Sequence, residues 1–565
     1  RPWRLLVPQI RPSVLVAGLV TALLSTLAAA PASAEPVAAP AAPQASRTDV
    51  AARASSSRAA LTPRTRFTMK PDGSSGRTVG GEGIPNIDSV KKTIATYYGD
   101  QGTGIASKTT SPYISEVSSI LRRQSSTLQS RYDQALRKHK GKHPALVFDT
   151  DDTTLFTYDM EVAAMHFTFD PALQDEWVQA ERFPATPAMA AYVRRARSVG
   201  YTIVGITGRS AGQESATLGN LAKVGYGDAF TDANFYTRWS GTKPSYITCK
   251  VTTACTTVEY KAGTRRYLEK KQDLTIVADY GDQWSDLQGG HADHSVKLPN
   301  PTYYLPSADL PGEKQPKLAP RTKFTMAPDG SSGTYVSGEG IPNIDSVKKT
   351  IATYYGDTGD GTASKTSSPY ITELKSLVKK QRKTLETRYR AAVKRGEKPA
   401  LVFDADDTTL FTYDMEVAAM HFNFDPALQD EWVQDRRFPA TPRMVSYVNQ
   451  AREIGYTVFG LTGRNDGQKT ATLGNLARVG YAPGTFTPTR FFTRWVSGST
   501  PPQWIQGCAG GTTCTTVEYK SKTRAHIEHD LGFTIVASYG DQYSDLAGGY
   551  ADHAVKLPNP TYYLP

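Results

Sequence analysis

Leu146 to Phe167 reads LVFDTDDTTLFTYDMEVAAMHF, and Leu401 to Phe422 reads LVFDADDTTLFTYDMEVAAMHF. Each stretch opens on an unbroken apolar run, preceded by Pro-Ala, and then meets a cluster of carboxylates. An apolar run without polar alternation suits a strand covered on both faces. The acids begin where that strand stops, so the fold and the chemistry are read from the same few residues.

Working outward, the repetition extends over most of the chain. RTRFTMKPDGSSG at Arg64 returns as RTKFTMAPDGSSG at Arg321, and IPNIDSVKKTIATYYGD, CTTVEYK and PNPTYYLP each occur twice. Two units follow, at 64–306 and 321–565, joined by the polar, proline-bearing linker 307–320. Each is long enough to bury its own core. A period this long means two whole domains rather than a solenoid.

Within the first unit, helical and strand patterns alternate. The segment from Ile114 to Lys140 predicts a helix with Ile114, Val117, Ile120, Leu121, Leu128 and Leu136 on one face. A second helix is expected from near Pro187 to Gly200, followed by the apolar strand YTIVGIT. ATLGNLAKVG predicts a further helix, and LTIVADYGD and HSVKLP two more strands. Such alternation predicts an α/β fold with a parallel sheet and helices on both faces, in which ligands bind beyond the carboxyl ends of the strands.

Composition agrees with globular domains: 39% hydrophobic and 21% charged residues exclude a fibrous or disordered chain. Residues 1–34 carry Arg1, Arg4 and Arg11, then an apolar run, then small residues ending at Ala34. This is the layout of a cleaved signal peptide, with an Ala/Pro/Ser-rich linker over 35–63. Removing three Arg and no acid takes the net charge from +11 to +8. No basic run is dense enough to predict nucleic-acid binding, and no stable membrane anchor is expected after cleavage. The four cysteines fall as Cys249/Cys255 and Cys508/Cys514, the pattern of one short disulfide per unit in an exported protein.

Four strand ends and helix starts carry the candidate chemistry. Asp149, Asp151 and Asp152 follow the first strand. A turn that caps nearby amides gives the same text, whereas a calcium loop would need Gly at Thr154 and Glu at Met160. Thr207, Gly208 and Arg209 end the second strand, and suit an anionic oxygen ligand only weakly when taken alone. Lys261 opens a helix, where a lysine is ordinarily a solvated charge. Asp282 and Asp286 follow the third strand, placed either to hold a hard cation or to cap the next helix.

Taken in order, Asp-x-Asp-Asp-Thr, Thr-Gly-Arg, Lys and Gly-Asp-x-x-x-Asp resemble the four motifs of the haloacid dehalogenase-like (HAD) hydrolase superfamily. VFDTDDTTL and GDQWSDL resemble more narrowly its secreted acid phosphatase branch, which includes bacterial class B-type enzymes and plant vegetative storage proteins. The resemblance covers about 110–306 and 366–565 and leaves 64–109 and 321–365 without a reading. It implies two tandem Rossmann-like domains with little or no cap, acting on small phosphorylated substrates. By the same resemblance Asp149 is the nucleophile of an aspartyl-phosphate mechanism, and Asp151 gives and then takes the proton. Thr207 binds the phosphoryl group, and Lys261 offsets its charge. Mg²⁺ is expected among Asp149, the backbone carbonyl of Asp151, Asp282 and, directly or through water, Asp286. Asp404, Asp406, Thr462, Lys520, Asp541 and Asp545 are the corresponding residues of the second unit.

The neighbouring residues are expected to be structural. Asp152 is expected to cap the Thr153 and Thr154 amides, and His166 to sit in the core or the pocket wall. Arg209 serves either substrate or loop. Phe156, Tyr158, Phe169 and Trp177 are candidates for an aromatic wall. From Ala145 to Pro187 the copies differ only at Thr150/Ala405, Thr168/Asn423, Ala180/Asp435 and Glu181/Arg436. Farther on, Trp284 becomes Tyr543 and Asp279 becomes Ser538, yet no candidate catalytic group is lost. Two competent sites with somewhat different kinetics are therefore expected. The alternatives are a storage or surface-binding protein on the same fold, a phosphotransferase, or a dehalogenase.

Overall fold

The computed structural model describes residues 66–69, 76–79, 86–250, 254–305, 323–326, 333–335, 343–496, 498–510 and 513–564. The expected signal peptide, the 35–63 linker and the 307–320 linker lie outside the described residues. Repeat one runs β1 (Arg66–Met69), β2 (Gly76–Val79), α1 (Ile87–Tyr98), α2 (Pro112–Lys138), β3 (His143–Phe148), α3 (Pro171–Gln179), α4 (Met189–Val199), β4 (Thr202–Ser210), α5 (Glu214–Leu221), β5 (Phe235–Arg238), α6 (Thr257–Lys271), β6 (Leu274–Gly281), α7 (Trp284–Leu287) and β7 (His294–Lys297). Repeat two follows the same plan: β8 (Lys323–Met326), β9 (Gly333–Tyr335), α8 (Ile344–Tyr355), α9 (Pro369–Lys394), β10 (Pro399–Phe403), α10 (Pro426–Gln434), α11 (Met444–Ile454), β11 (Thr457–Asn465), α12 (Lys469–Arg478), β12 (Phe491–Arg494), α13 (Thr516–His529), β13 (Thr534–Gly540), α14 (Tyr543–Leu546) and β14 (Ala554–Lys556).

Each repeat builds a five-stranded parallel sheet, ordered β5-β4-β3-β6-β7 and β12-β11-β10-β13-β14. The first apolar run is the central strand in both. Leu146 and Phe148 face one side of the sheet, and Ala145 and Val147 face the other. On the first side Phe148 stacks on Tyr280 and meets the buried faces of α2 and α4. On the second side Tyr260 and Leu268 of α6 close the core. Burial on both faces is why the run shows no alternation.

Two expectations change in detail. Leu136 is 43% exposed and Ala135 takes its place on the buried face of α2, because the apolar stripe drifts over a helix this long. The edge strand β5 lay unread, since its four residues carry no apolar run.

The repeats join in two places. β1 pairs antiparallel with β8, which makes a four-stranded sheet β2-β1-β8-β9 from two hairpins. The helices α1 and α8 lie in contact, and one buried apolar cluster runs through both repeats. The segments 64–109 and 321–365, which had no reading from sequence, therefore include the elements that join the repeats.

Candidate active site

Asp149 stands just past β3, and its amide donates to the Tyr280 carbonyl of β6 at 3.0 Å. The chain then turns on the Thr150 carbonyl, which accepts from the amides of Thr153, Thr154 and Leu155. Asp152 therefore does not cap Thr153 and Thr154 as expected. At φ 47° its carboxylate turns forward and accepts from the Thr157 amide at 3.1 Å and the Thr157 hydroxyl at 2.5 Å. Asn300 adds a third donor at 3.2 Å. Asp152 is structural through different partners.

Lys261 is not a surface charge. α6 begins in a capping box, with Thr256 accepting from the Glu259 amide at 3.1 Å and Glu259 accepting in return from the Thr256 amide at 2.8 Å. Glu259 also accepts from the Lys250 amide at 2.7 Å, tying the loop closed by the Cys249–Cys255 disulfide to the helix. One turn in, Lys261 is buried and lies 2.6 Å from both Asp149 and Asp286. Asp286 accepts as well from the Gln283 amide at 2.9 Å. Gly281 permits this approach, since a Cβ there would fall 2.4 Å from that of Asp286.

Arg209 grips Asp151 bidentately, Nη2 to Oδ1 at 2.6 Å and Nε to Oδ2 at 3.1 Å. It donates also to Thr217 at 3.0 Å and packs over Phe183. The grip fixes the position of Asp151, the carboxylate that remains partly open to the cavity. Thr207 is fully buried in β4, where its hydroxyl accepts from the Arg209 amide at 3.2 Å; Gly208 and Arg209 face the cavity instead.

The cavity measures about 400 Å³, and Asp149, Asp151, Lys261 and Asp286 lie in its wall. Phe169 stands at its edge, 66% exposed. The other expected aromatics pack elsewhere: Phe156 and Tyr158 against Tyr98 and Tyr113, and Trp177 against Phe183. His166 is neither core nor site wall. It is exposed, and its carbonyl accepts from Asn423 of repeat two at 3.1 Å.

Residues missed from sequence complete the wall: Glu161, Tyr303, Tyr304, Leu305 and, from the other repeat, Asp345. Behind it, Asn300 and Gln283 hold Asp282 at 2.8 and 2.7 Å. The available signal was PNPTYYLP, carried unchanged in both copies and rich in tyrosine and proline just after the last strand.

Electrostatics follow from burying several acids around one lysine. Burial raises the Asp149 carboxyl well above its ordinary range; Asp286 adds to this and Lys261 opposes it. Burial, then Asp286 and Asp152, lift Asp282 to about 7, and burial lifts Asp152 to about 7. Burial alone would lower the Lys261 ammonium, yet Asp149 and Asp286 hold it above its usual value. The carboxylates of Asp149, Asp282 and Asp286 have oxygens all within 4.8 Å of one another. Buried oxygen donors in excess over cationic groups fit a hard divalent cation.

Repeat two reproduces the site. Lys520 pairs with Asp404 at 2.9 Å and with Asp545, and Arg464 grips Asp406. Asn559 holds Asp541 at 2.8 Å, and Thr462 is buried in β11 as Thr207 is in β4. Asp404, Asp541 and Asp545 form the matching oxygen cluster. The change of Asp279 to Ser538 lies behind the site. Burial lowers both arginines; Asp279, 3.5 Å from Arg265, opposes this there, whereas Arg524 has serine at that position and is lowered to about 10.

A parallel sheet whose central strand ends in a buried Asp, beside a buried lysine and a second acidic loop, has the layout of the HAD class. The chain belongs to the HAD superfamily, subfamily IIIB (acid phosphatase), whose family model matches residues 104–306 and 353–565. It is 34% identical over 139 residues to the stem 28 kDa glycoprotein of Glycine max, covering 24% of this chain and 50% of that protein. It is 32% identical over 176 residues to acid phosphatase 1 of Solanum lycopersicum, with 29% and 58% covered. Vegetative storage protein 1 of Arabidopsis thaliana is 28% identical over 167 residues, with 29% and 55% covered. The chain thus spans about half the length of the curated relatives it matches. Among solved structures it is similar to the class C acid phosphatase of Bacillus anthracis, at 22% identity and TM-score 0.28, over 39% of this chain and 87% of that one.

Proposed function

We propose that the chain is an exported, Mg²⁺-dependent phosphomonoesterase with two catalytic sites that work through an aspartyl-phosphate. The observation that carries this reading is the convergence of Asp149, Asp151 and Lys261 on one cavity, with Asp282 and Asp286 beside it. Asp149 attacks the phosphorus of a small monoester, forming its Oδ–P bond as the ester oxygen leaves. Asp151, held by Arg209, gives that oxygen its proton and then takes one from the water that releases phosphate. Lys261 keeps positive charge against Asp149 while the second anion approaches. Asp149 and Asp282 would hold Mg²⁺, with Asp286 committed to Lys261 and the Gln283 amide. Bound there, the cation supplies charge neutralisation for the incoming phosphoryl oxygens. Thr207 contributes through its buried hydroxyl, which accepts from the Arg209 amide and fixes the loop at Gly208 and Arg209 rather than reaching the phosphoryl group.

Export is supported by the signal-like N-terminus and by the two disulfides. No helix among the described residues is long and apolar enough to cross a membrane. Aspartate at both nucleophile positions, each paired with a buried lysine, favours catalysis over a storage role.

The test is hydrolysis of an aryl phosphate with Mg²⁺ and with EDTA, using Asp149→Asn, Asp404→Asn and the double variant. Each single variant is expected to retain part of the activity and the double variant none. Full activity in the double variant would refute the mechanism, and complete loss in one single variant would refute the two-site reading.

A further inference from the structure

Helices α1 and α8 each serve two domains. The C-terminal end of α8 packs at home, where Tyr355 meets Tyr370, Phe411 and Tyr413. Its N-terminal end lies in repeat one. Asn343 donates to the Asn300 carbonyl at 3.1 Å and to the Tyr303 carbonyl. The Ile344 amide donates to the Pro301 carbonyl at 2.8 Å, and Asp345 accepts from the Tyr304 amide at 3.0 Å. Lys348 reaches the Phe167 carbonyl.

The arrangement is reciprocal. Asn86 donates to the carbonyls of Asn559, at 3.2 Å, and Tyr562. The Ile87 amide donates to the Pro560 carbonyl at 2.8 Å, and Asp88 accepts from the Tyr563 amide at 3.0 Å. Lys91 reaches the Phe422 carbonyl. A contact of residue i with j that recurs as its mirror image is the signature of a two-fold, isologous exchange.

What α8 clamps is part of site one. Residues 300–305 form no helix or strand, so their buried backbone groups must be satisfied from elsewhere. Within this segment Asn300 holds Asp282 and Asp152, while Tyr303, Tyr304 and Leu305 wall the cavity. The Leu305 amide donates to Gln283, which in turn donates to Asp282. Asp345 itself lies in the cavity wall. We propose that each active site is completed by the helix of the other repeat. Asn343 and Asp345 are positioning residues for site one, and Asn86 and Asp88 are positioning residues for site two. The proposal rests on the phosphatase reading for what the sites do, but not for the exchange itself.

The test uses the full chain with one site left active: Asp404→Asn reports site one, and Asp149→Asn reports site two. Asn343→Ala is expected to lower kcat/KM at site one by roughly tenfold or more, because buried carbonyls lose their donor. It should also raise the Mg²⁺ concentration needed for half-maximal rate at site one and leave site two within about twofold. Asn86→Ala should do the reverse. Effects falling on the site of the variant's own repeat, on both sites equally, or on neither overturn the proposal. Asn343→Asp, which keeps the helix cap but loses the donors, replaces Asn343→Ala should that variant fail to fold. Hydrogen exchange gives a readout independent of activity. Asn343→Ala should speed exchange over 300–305 and spare 559–564, and the opposite result or no change overturns the proposal. If both single-site chains are inactive, the phosphatase reading fails, and the exchange measurement alone decides this inference.

Discussion

Lys261→Met isolates the electrostatic core of site one. The ammonium is 4% exposed and sits 2.6 Å from two carboxylates that are themselves 9% and 5% exposed. Methionine fills similar space, so the change removes charge more than volume. Losing one partner of a buried pair costs about 3–5 kcal/mol, because the charge left behind has neither water nor counter-ion. In a unit of about 150–250 residues that corresponds to a fall in melting temperature on the order of 10 °C.

The pH dependence separates this cause from a packing defect. Asp149 is raised above 3.8 by burial and by Asp286, and Lys261 opposes that rise. Without the lysine, Asp149 stays protonated to still higher pH in the folded variant. Between the unfolded and the folded carboxyl values the folded state then binds more protons, so its stability falls as pH rises. The deficit in urea unfolding with EDTA present should therefore be small near pH 5 and large near pH 8. Lys261→Met combined with Asp149→Asn should recover much of it. An equal deficit at both pH values, or no recovery in the double variant, would show that the lysine acts as a spacer and refute the reasoning.

Arg209→Lys keeps the charge and loses the two-pronged grip on Asp151, so kcat at site one should fall roughly 10- to 100-fold. An unchanged kcat in single-site kinetics with Asp404→Asn would show that Asp151 needs no orienting. Metal-free protein should be less stable near pH 8 than near pH 5. Asp152 and Asp282 at about 7 and Asp407 at about 8 stay protonated in the folded state while their unfolded counterparts ionise from about pH 4 upward. Adding Mg²⁺ should flatten that slope in calorimetry, and a slope of the opposite sign would contradict the burial of these acids. Cys249→Ser with Cys255→Ser opens the loop tied to α6 through Glu259. It should cost about 2 kcal/mol in urea unfolding while leaving the Lys261 ion pairs and kcat largely intact. A collapse of kcat at unchanged stability would mean the disulfide positions Lys261 directly.

Local pattern was enough for four of the five strands and for picking out the acids and the lysine that the fold brings to one cavity. The continuous run before Asp149, the apolar strand before Thr207 and the loop after β6 announce themselves within a few residues. What escaped depends on contacts between distant positions. Asn300 meets Asp152 across 148 residues, and nothing in the periodicity of either segment reports the other. Arg209 was equally poised between substrate and loop until its partner, Asp151, stood 2.6 Å away. Phe156 and Tyr158 looked like pocket residues because they follow the motif, but the tyrosines of α1 and α2 cover them. Propensity and spacing are one-dimensional, whereas the wall of this cavity is assembled from segments up to two hundred residues apart.

The exchange of α1 and α8 gives the duplication a physical reason. A single repeat would leave the carbonyls of Asn300 and Tyr303 without the Asn343 donors, and residues 300–305 without their clamp. It would also leave the Asn86 side chain and the Ile87 amide of its own helix without the Asn559, Tyr562 and Pro560 carbonyls they donate to. Two copies facing one another remedy both deficits at once, since each helix covers the other's gap. Both helices make the same backbone clamps on the opposite repeat, which fits IDSVKKTIATYY being identical in the two copies. Asp279 to Ser538 falls instead inside a single repeat, whereas Thr168 to Asn423 falls at the junction and adds bonds to His166 and Lys91 there without touching either clamp.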